Sequence, residues 1–94
     1  MTVRVLLPRL LSDCTGGRTS MSLDLPVAVT VGAVLDALAA EHPMFDRRVR
    51  DETGALRRHV NVYVDGEEVR RLSGLATPVP AGAEVMVIQS VAGG

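Results

Sequence analysis

One stretch of helical periodicity limits the possible folds more than any other feature of the chain. Val31, Val34, Leu35, Leu38 and Ala39 fall at i, i+3, i+4, i+7 and i+8, which lays a single apolar stripe along a helix. Thr30 offers a hydroxyl to cap the first turn, and Val29 and Val34 are spaced for a hydrophobic staple across it. Ala37, Ala39 and Ala40 favour helix, while Gly32 weakens its start. His42-Pro43 ends it, because the residue before a proline avoids the helical region. A helix with one apolar stripe must bury that stripe against another layer, and the rest of the regular sequence reads as strand.

Val3-Arg4-Val5-Leu6-Leu7 alternates and then turns wholly apolar, as in a strand entering the middle of a sheet, although Pro8 argues for an edge or bulge. Ser12 to Gly17 has turn chemistry throughout, and Arg18 to Leu25 resumes alternation, so the two runs predict a hairpin. Met44 to Arg58 is irregular and charged; it predicts a long connection with one helical turn, anchored by Phe45 and Leu56. Val60-Asn61-Val62-Tyr63-Val64 is a strand, and Asp65-Gly66 a hairpin turn, since that turn needs positive φ. Glu67 to Arg71 predicts a short return strand, Leu72 to Pro78 a loop, and Glu84 to Ser90 the last strand. The order ββ-α-β-β-β predicts an α+β fold, a mixed sheet packed against one main helix: a β-grasp.

Ninety-four residues make one domain, expected over 1–91, followed by a flexible Ala92-Gly93-Gly94 tail. Phe45 and Tyr63 are the only aromatics, so valine and leucine must fill the core. The formal net charge of −1 offers no footprint for nucleic acid or for an acidic membrane surface. All ten basic residues are arginine. Without lysine the chain has no Schiff-base nucleophile and no ε-amine to receive an isopeptide bond. Cys14 is the single cysteine, which excludes an internal disulfide and suits a reducing compartment. The N-terminal apolar stretch, broken by Arg4, Pro8 and Arg9, suits neither a signal peptide nor a membrane span. A soluble cytoplasmic protein, monomeric when free, is expected.

The last residues, Val91-Ala92-Gly93-Gly94, follow directly on the apolar strand. At average glycine usage of ~7%, two terminal glycines arise by chance in roughly 0.5% of chains. Two glycines leave no Cβ beside the terminal carboxylate, so the backbone can lie against another protein. Extended, Ala92 to Gly94 span ~10 Å at roughly 3.3–3.6 Å per residue, enough to enter a tunnel too narrow for the folded body.

Set in this order along the chain, Thr15-Gly16-Gly17, Arg58-His59-Val60-Asn61-Val62-Tyr63-Val64, Glu68-Val69-Arg70, Gly74-Leu75-Ala76-Thr77 and the Gly-Gly end resemble the ubiquitin-like sulfur carriers of the MoaD/ThiS family. The resemblance spans nearly the whole sequence and is nearest to the actinobacterial carriers of cysteine biosynthesis. Gln89-Ser90 stands where relatives often carry proline. The resemblance implies a carrier rather than an enzyme, with no bound cofactor. An adenylyltransferase/sulfurtransferase of the ubiquitin-activating type would use ATP to convert the Gly94 carboxylate to an acyl-adenylate. A sulfur donor would then leave a Gly94 thiocarboxylate, with Ala92 and Gly93 threading into the partner. The acceptor would be a sulfur-accepting synthase, first a pyridoxal-phosphate (PLP)-dependent cysteine synthase. A MoaD-like subunit of molybdopterin synthase and a carrier for a specialised metabolite are the related alternatives. A protein modifier or a plain interaction module are those of another class.

Side chains elsewhere offer weaker signals. Leu72, Leu75, Val79 and Val91 flank the tail in sequence and are either core or a docking surface beside it. Cys14 sits in a turn without a paired cysteine, which favours an inert thiol over a sulfur relay. His42 and His59 lack metal-ligand spacing with it. Asp51-Glu52 and Glu67-Glu68 read as solvated surface. Arg47, Arg48, Arg50, Arg57 and Arg58 are interleaved with acids and lack the stacking aromatics of a nucleic-acid binder.

Overall fold

The computed structural model describes residues 1–26 and 29–90. Its strands are β1 (Thr2–Leu6), β2 (Ser20–Asp24), β3 (Val29–Thr30), β4 (Val60–Val64), β5 (Glu67–Glu68), β6 (Pro78–Val79) and β7 (Glu84–Gln89), with helices α1 (Val31–Glu41) and α2 (Pro43–Val49). The main sheet has the order β2-β1-β7-β4-β5, and β3 pairs with β6 in a small separate ladder. β1 and β7 run parallel while every other pair is antiparallel, which makes the sheet mixed as predicted.

The alternation in each strand explains the layering. Val3 and Val5 of β1, Val60, Val62 and Val64 of β4, and Val85 and Val87 of β7 all turn inward and are buried. They meet Val31, Val34, Leu35 and Leu38 of α1, the stripe visible in the sequence. The Thr30 hydroxyl accepts from Ala33 N–H at 3.2 Å, the cap expected of it.

Four local expectations are corrected. Pro8 does not put β1 at an edge: β1 lies between β2 and β7, and Pro8 stands beyond its end, where its missing N–H costs no ladder bond. Residues Arg9–Thr15 form a 3₁₀ helix rather than a loose turn; it buries Leu11 and Thr15 and closes on Gly16 at φ 67°. Pro43 ends α1 and also opens α2 as its first residue, a position at which proline is already set for helix. Two buried residues of α2, Phe45 and Val49, then pack into the core, so the first six residues of the expected connection are helix. Lastly, β5 is only two residues long and gives way to a 3₁₀ turn at Val69–Arg71.

Candidate functional site

β7 is the strand that delivers the C-terminus. It is paired on both sides, from Arg4↔Glu84 to Leu6↔Met86 with β1 and from Val64↔Val85 to Val60↔Gln89 with β4. One further bond, from Ser90 N–H to His59 O at 2.8 Å, extends the β4 side past the end of the strand. A proline at position 90 would lack that donor. Gln89 shares the inward face with Val85 and Val87, and its buried Oε1 has no hydrogen-bond partner among the described residues. Val91, Ala92, Gly93 and Gly94 lie outside the described residues, as does the expected boundary between body and tail.

The start of β4, which holds the end of β7, is itself held from its outer side. β5 covers only Tyr63 and Val64, leaving the Val60 end of that edge without a strand partner. Arg70 reaches into the gap, its guanidinium donating to Val60 O at 2.6 Å, to Arg57 O at 2.9 Å and to the Asn61 side chain. Arg57 in turn donates from Nε to Arg47 O at 2.8 Å, tying α2 to the same corner.

Facing away from the helices, the sheet carries apolar side chains that sequence reasoning missed. Leu6, Met86 and Tyr63 stand in one cross-strand row, and Ile88, 38% exposed, lies beyond Met86 toward the strand's end. The signal was present in β7, where both faces of Glu84-Val85-Met86-Val87-Ile88 are apolar although only one can enter the core.

The anticipated docking residues are placed differently. Val79 is 2% exposed and belongs to the core. Leu75 is partly buried against the core, and Leu72 is 47% exposed. Leu72 and Val79 line a groove with Met1, Val64 and Asp65, at the end of the sheet where β7 begins. The six residues of β7 carry the chain away from that groove by ~20 Å at about 3.3 Å per residue, so Leu72 and Val79 lie at the other end of the strand from Gln89.

Cys14 is half-buried against the core. Among the described residues no cluster of three or more His, Cys, Asp or Glu side chains could hold a metal ion. None of the helices there is long and apolar enough to cross a membrane. The loop after α2 has one perturbed carboxylate: Asp51 accepts from the Thr53 hydroxyl at 2.5 Å, from Thr53 N–H at 2.8 Å and from Ala55 N–H at 3.2 Å. These donors, the Thr53 hydroxyl foremost, hold its pKa below the usual carboxylate range. Arg50 sits between Asp46 at 2.7 Å and Asp36 at 2.9 Å. Burial pulls its pKa down, but the two carboxylates together outweigh that and raise it. These groups brace α1, α2 and the loop.

Known proteins match both the sequence and this geometry. The ThiS family model matches residues 5–94. The sulfur carrier protein CysO of Mycobacterium tuberculosis is 40% identical over 96 residues, with 100% of both chains covered. The small archaeal modifier SAMP1 from Haloferax volcanii superposes with a TM-score of 0.84 at 31% identity, covering 100% of both chains. The BexX/CysO complex from Amycolatopsis orientalis contains a chain that matches with a TM-score of 0.78 at 35% identity, covering 98% of this chain and 99% of that one. By sequence along almost its full length and by its ubiquitin-like β-grasp, the chain belongs to the ThiS family, among small carrier proteins rather than enzymes.

Proposed function

We propose that this protein is a sulfur carrier that works through the Gly94 carboxylate. The observation that carries the reading is the end-to-end likeness to CysO together with a Gly-Gly terminus that follows directly from the doubly paired strand β7. A free carboxylate resists nucleophiles because it is anionic and has no good leaving group. A ubiquitin-activating-type adenylyltransferase supplies ATP; a Gly94 oxygen attacks the α-phosphorus and pyrophosphate departs. A sulfur nucleophile then attacks the acyl carbon of the adenylate and AMP leaves. The result is a thiocarboxylate, one hard step having been divided into two easier ones. Ala92 and Gly93 thread the activating and accepting enzymes, and the Leu6-Met86-Tyr63 row with Ile88 gives the partner an apolar face beside the end of β7. The acceptor is a synthase, for which a PLP-dependent cysteine synthase is the first candidate.

Intact mass after incubation with ATP, sulfide and the activating enzyme tests this. The expected product is the carrier with one oxygen exchanged for sulfur, and an unchanged mass would refute the reading. The likeness to SAMP1, whose name is that of a modifier, supports a second reading in which Gly94 is joined to amines of other proteins. A ladder of heavier conjugates in the same mixture would favour it.

A further inference from the structure

We propose that seven arginines make the end of the sheet where β7 stops into a docking collar for partner proteins whose tail-accepting opening is rimmed with carboxylates. The proposal rests on the carrier reading above and specifies the surface chemistry of the proteins that act on the tail.

Strand direction gathers these residues. β1 runs parallel to β7, so Arg9, just past Pro8, lies at the end where β7 stops. β2 begins there too: Leu7 N–H donates to Thr19 O at 2.9 Å, which places Arg18 beside that edge. β4 also starts there, preceded by Arg57 and Arg58, and Arg70 is bonded to its first carbonyl. Arg47 and Arg48 arrive with α2, through the bond from Arg57 to Arg47 O and one from Arg48 Nη1 to Leu10 O at 3.5 Å.

The collar carries more positive charge than the carboxylates beside it offset. None of their carboxylates lies within 4.0 Å of these seven guanidinium groups; the arginine ion pairs formed there belong to Arg4 and Arg50. Asp13 borders the collar in sequence, and Asp46, Asp51 and Glu52 line the same surface as Arg47 and Arg57, which brings its excess of positive charge below seven. The opposite end, where β7 begins, collects Asp24, Asp65, Glu67 and Glu84, of which Asp24 pairs with the N-terminal ammonium and Glu84 with Arg4. The small net charge therefore conceals a basic end, and an acidic opening attracts this chain with the end of β7 foremost.

Carboxylates fit the collar better than nucleic acid does. Arginine forks match carboxylates in pairs, and hydrogen bonds to backbone carbonyls already order Arg48, Arg57 and Arg70, so less side-chain freedom is lost on docking. No phenylalanine or tyrosine ring among the described residues is available at this end to stack a base: Phe45 is buried, and Tyr63 lies within the sheet next to β5, which leaves the imidazole of His59 alone.

The test uses the full chain and the adenylyltransferase that yields the thiocarboxylate above. Arg18 and Arg58 are exposed, so the double variant Arg18→Glu/Arg58→Glu should keep the native circular dichroism. Its KM as a substrate should rise on the order of 10-fold with kcat unchanged at about 0.05 M salt, and most of the difference should vanish at about 0.5 M. Arg18→Lys/Arg58→Lys should restore KM, and Asp24→Lys at the opposite end should leave it unchanged. An unaltered KM, or a difference that persists at high salt, overturns the collar. Titration of the labelled wild-type chain with a hexaglutamate peptide tests the surface independently of activation: arginine Nε–H shifts should be confined to this end. Absent or scattered shifts, or tighter binding of a single-stranded DNA of equal charge, also overturn the collar. Failure of every adenylyltransferase to change the mass strikes the carrier reading alone, since the peptide titration does not depend on it.

Discussion

Asp65 and Gly66, at φ 48° and 86°, join β4 to β5 through the two left-handed residues that a tight hairpin of right-twisted strands requires. Asp65 also accepts from Glu84 N–H at 3.0 Å, linking the turn to the start of β7. Gly66→Ala should therefore cost about 1–2 kcal/mol, the penalty of a Cβ in the left-handed region, measured by urea unfolding. This pair could be read from two letters because its requirement is local. Gly32 could not: a Cβ there would lie 3.3 Å from the carbonyl oxygen of Leu75, a residue brought close only by folding. Asp51 makes a prediction in pH. Its pKa is lowered in the folded chain, so its contribution to stability is present above the usual carboxylate range and is lost as pH falls through the lowered value. Carboxyl NMR should give Asp51 a midpoint below that of a free aspartate, and Thr53→Val should move it back upward. An ordinary midpoint in the parent would refute the account.

Among the elements, α1 and α2 show how length governs legibility. α1 spans eleven residues, enough for a 3.6-residue period to declare itself; α2 spans seven, fewer than two full turns. Its marks were capping signals, with Pro43 first, Asp46 in the first turn, and Arg47 and Arg48 in the last. What holds it is Phe45, the largest fully buried side chain, one turn from Val49. Phe45→Ala should cost about 3–5 kcal/mol. Met44→Ala, on a side chain 55% exposed, should change stability by less than about 0.5 kcal/mol. Equal losses in denaturant midpoint would mean that α2 is not docked by Phe45. β5 failed as a full return strand for a different reason: Arg70 satisfies the Val60 carbonyl that a longer strand would have paired, and no local pattern announces that substitution.

At the scale of the molecule, the body and the reactive end should separate. Deleting Gly94 should leave the far-ultraviolet spectrum and denaturant midpoint unchanged while abolishing conversion to the sulfur-bearing form. A truncated chain that still gained sulfur would place the reactive group elsewhere. The β-grasp, its central valine layers and the Gly-Gly end were all legible from the residues alone, because side-chain alternation, helical period and terminal composition are properties of neighbouring letters. Three-dimensional pairing settled the rest. It sent Leu72 and Val79 to one end of the sheet and seven of the ten arginines to the other, and turned Met86 and Ile88 outward beside the end of β7. Those outcomes depend on which strands pair and in which direction, and the parallel match of β1 with β7 joins residues from opposite ends of the chain, beyond the reach of any local pattern.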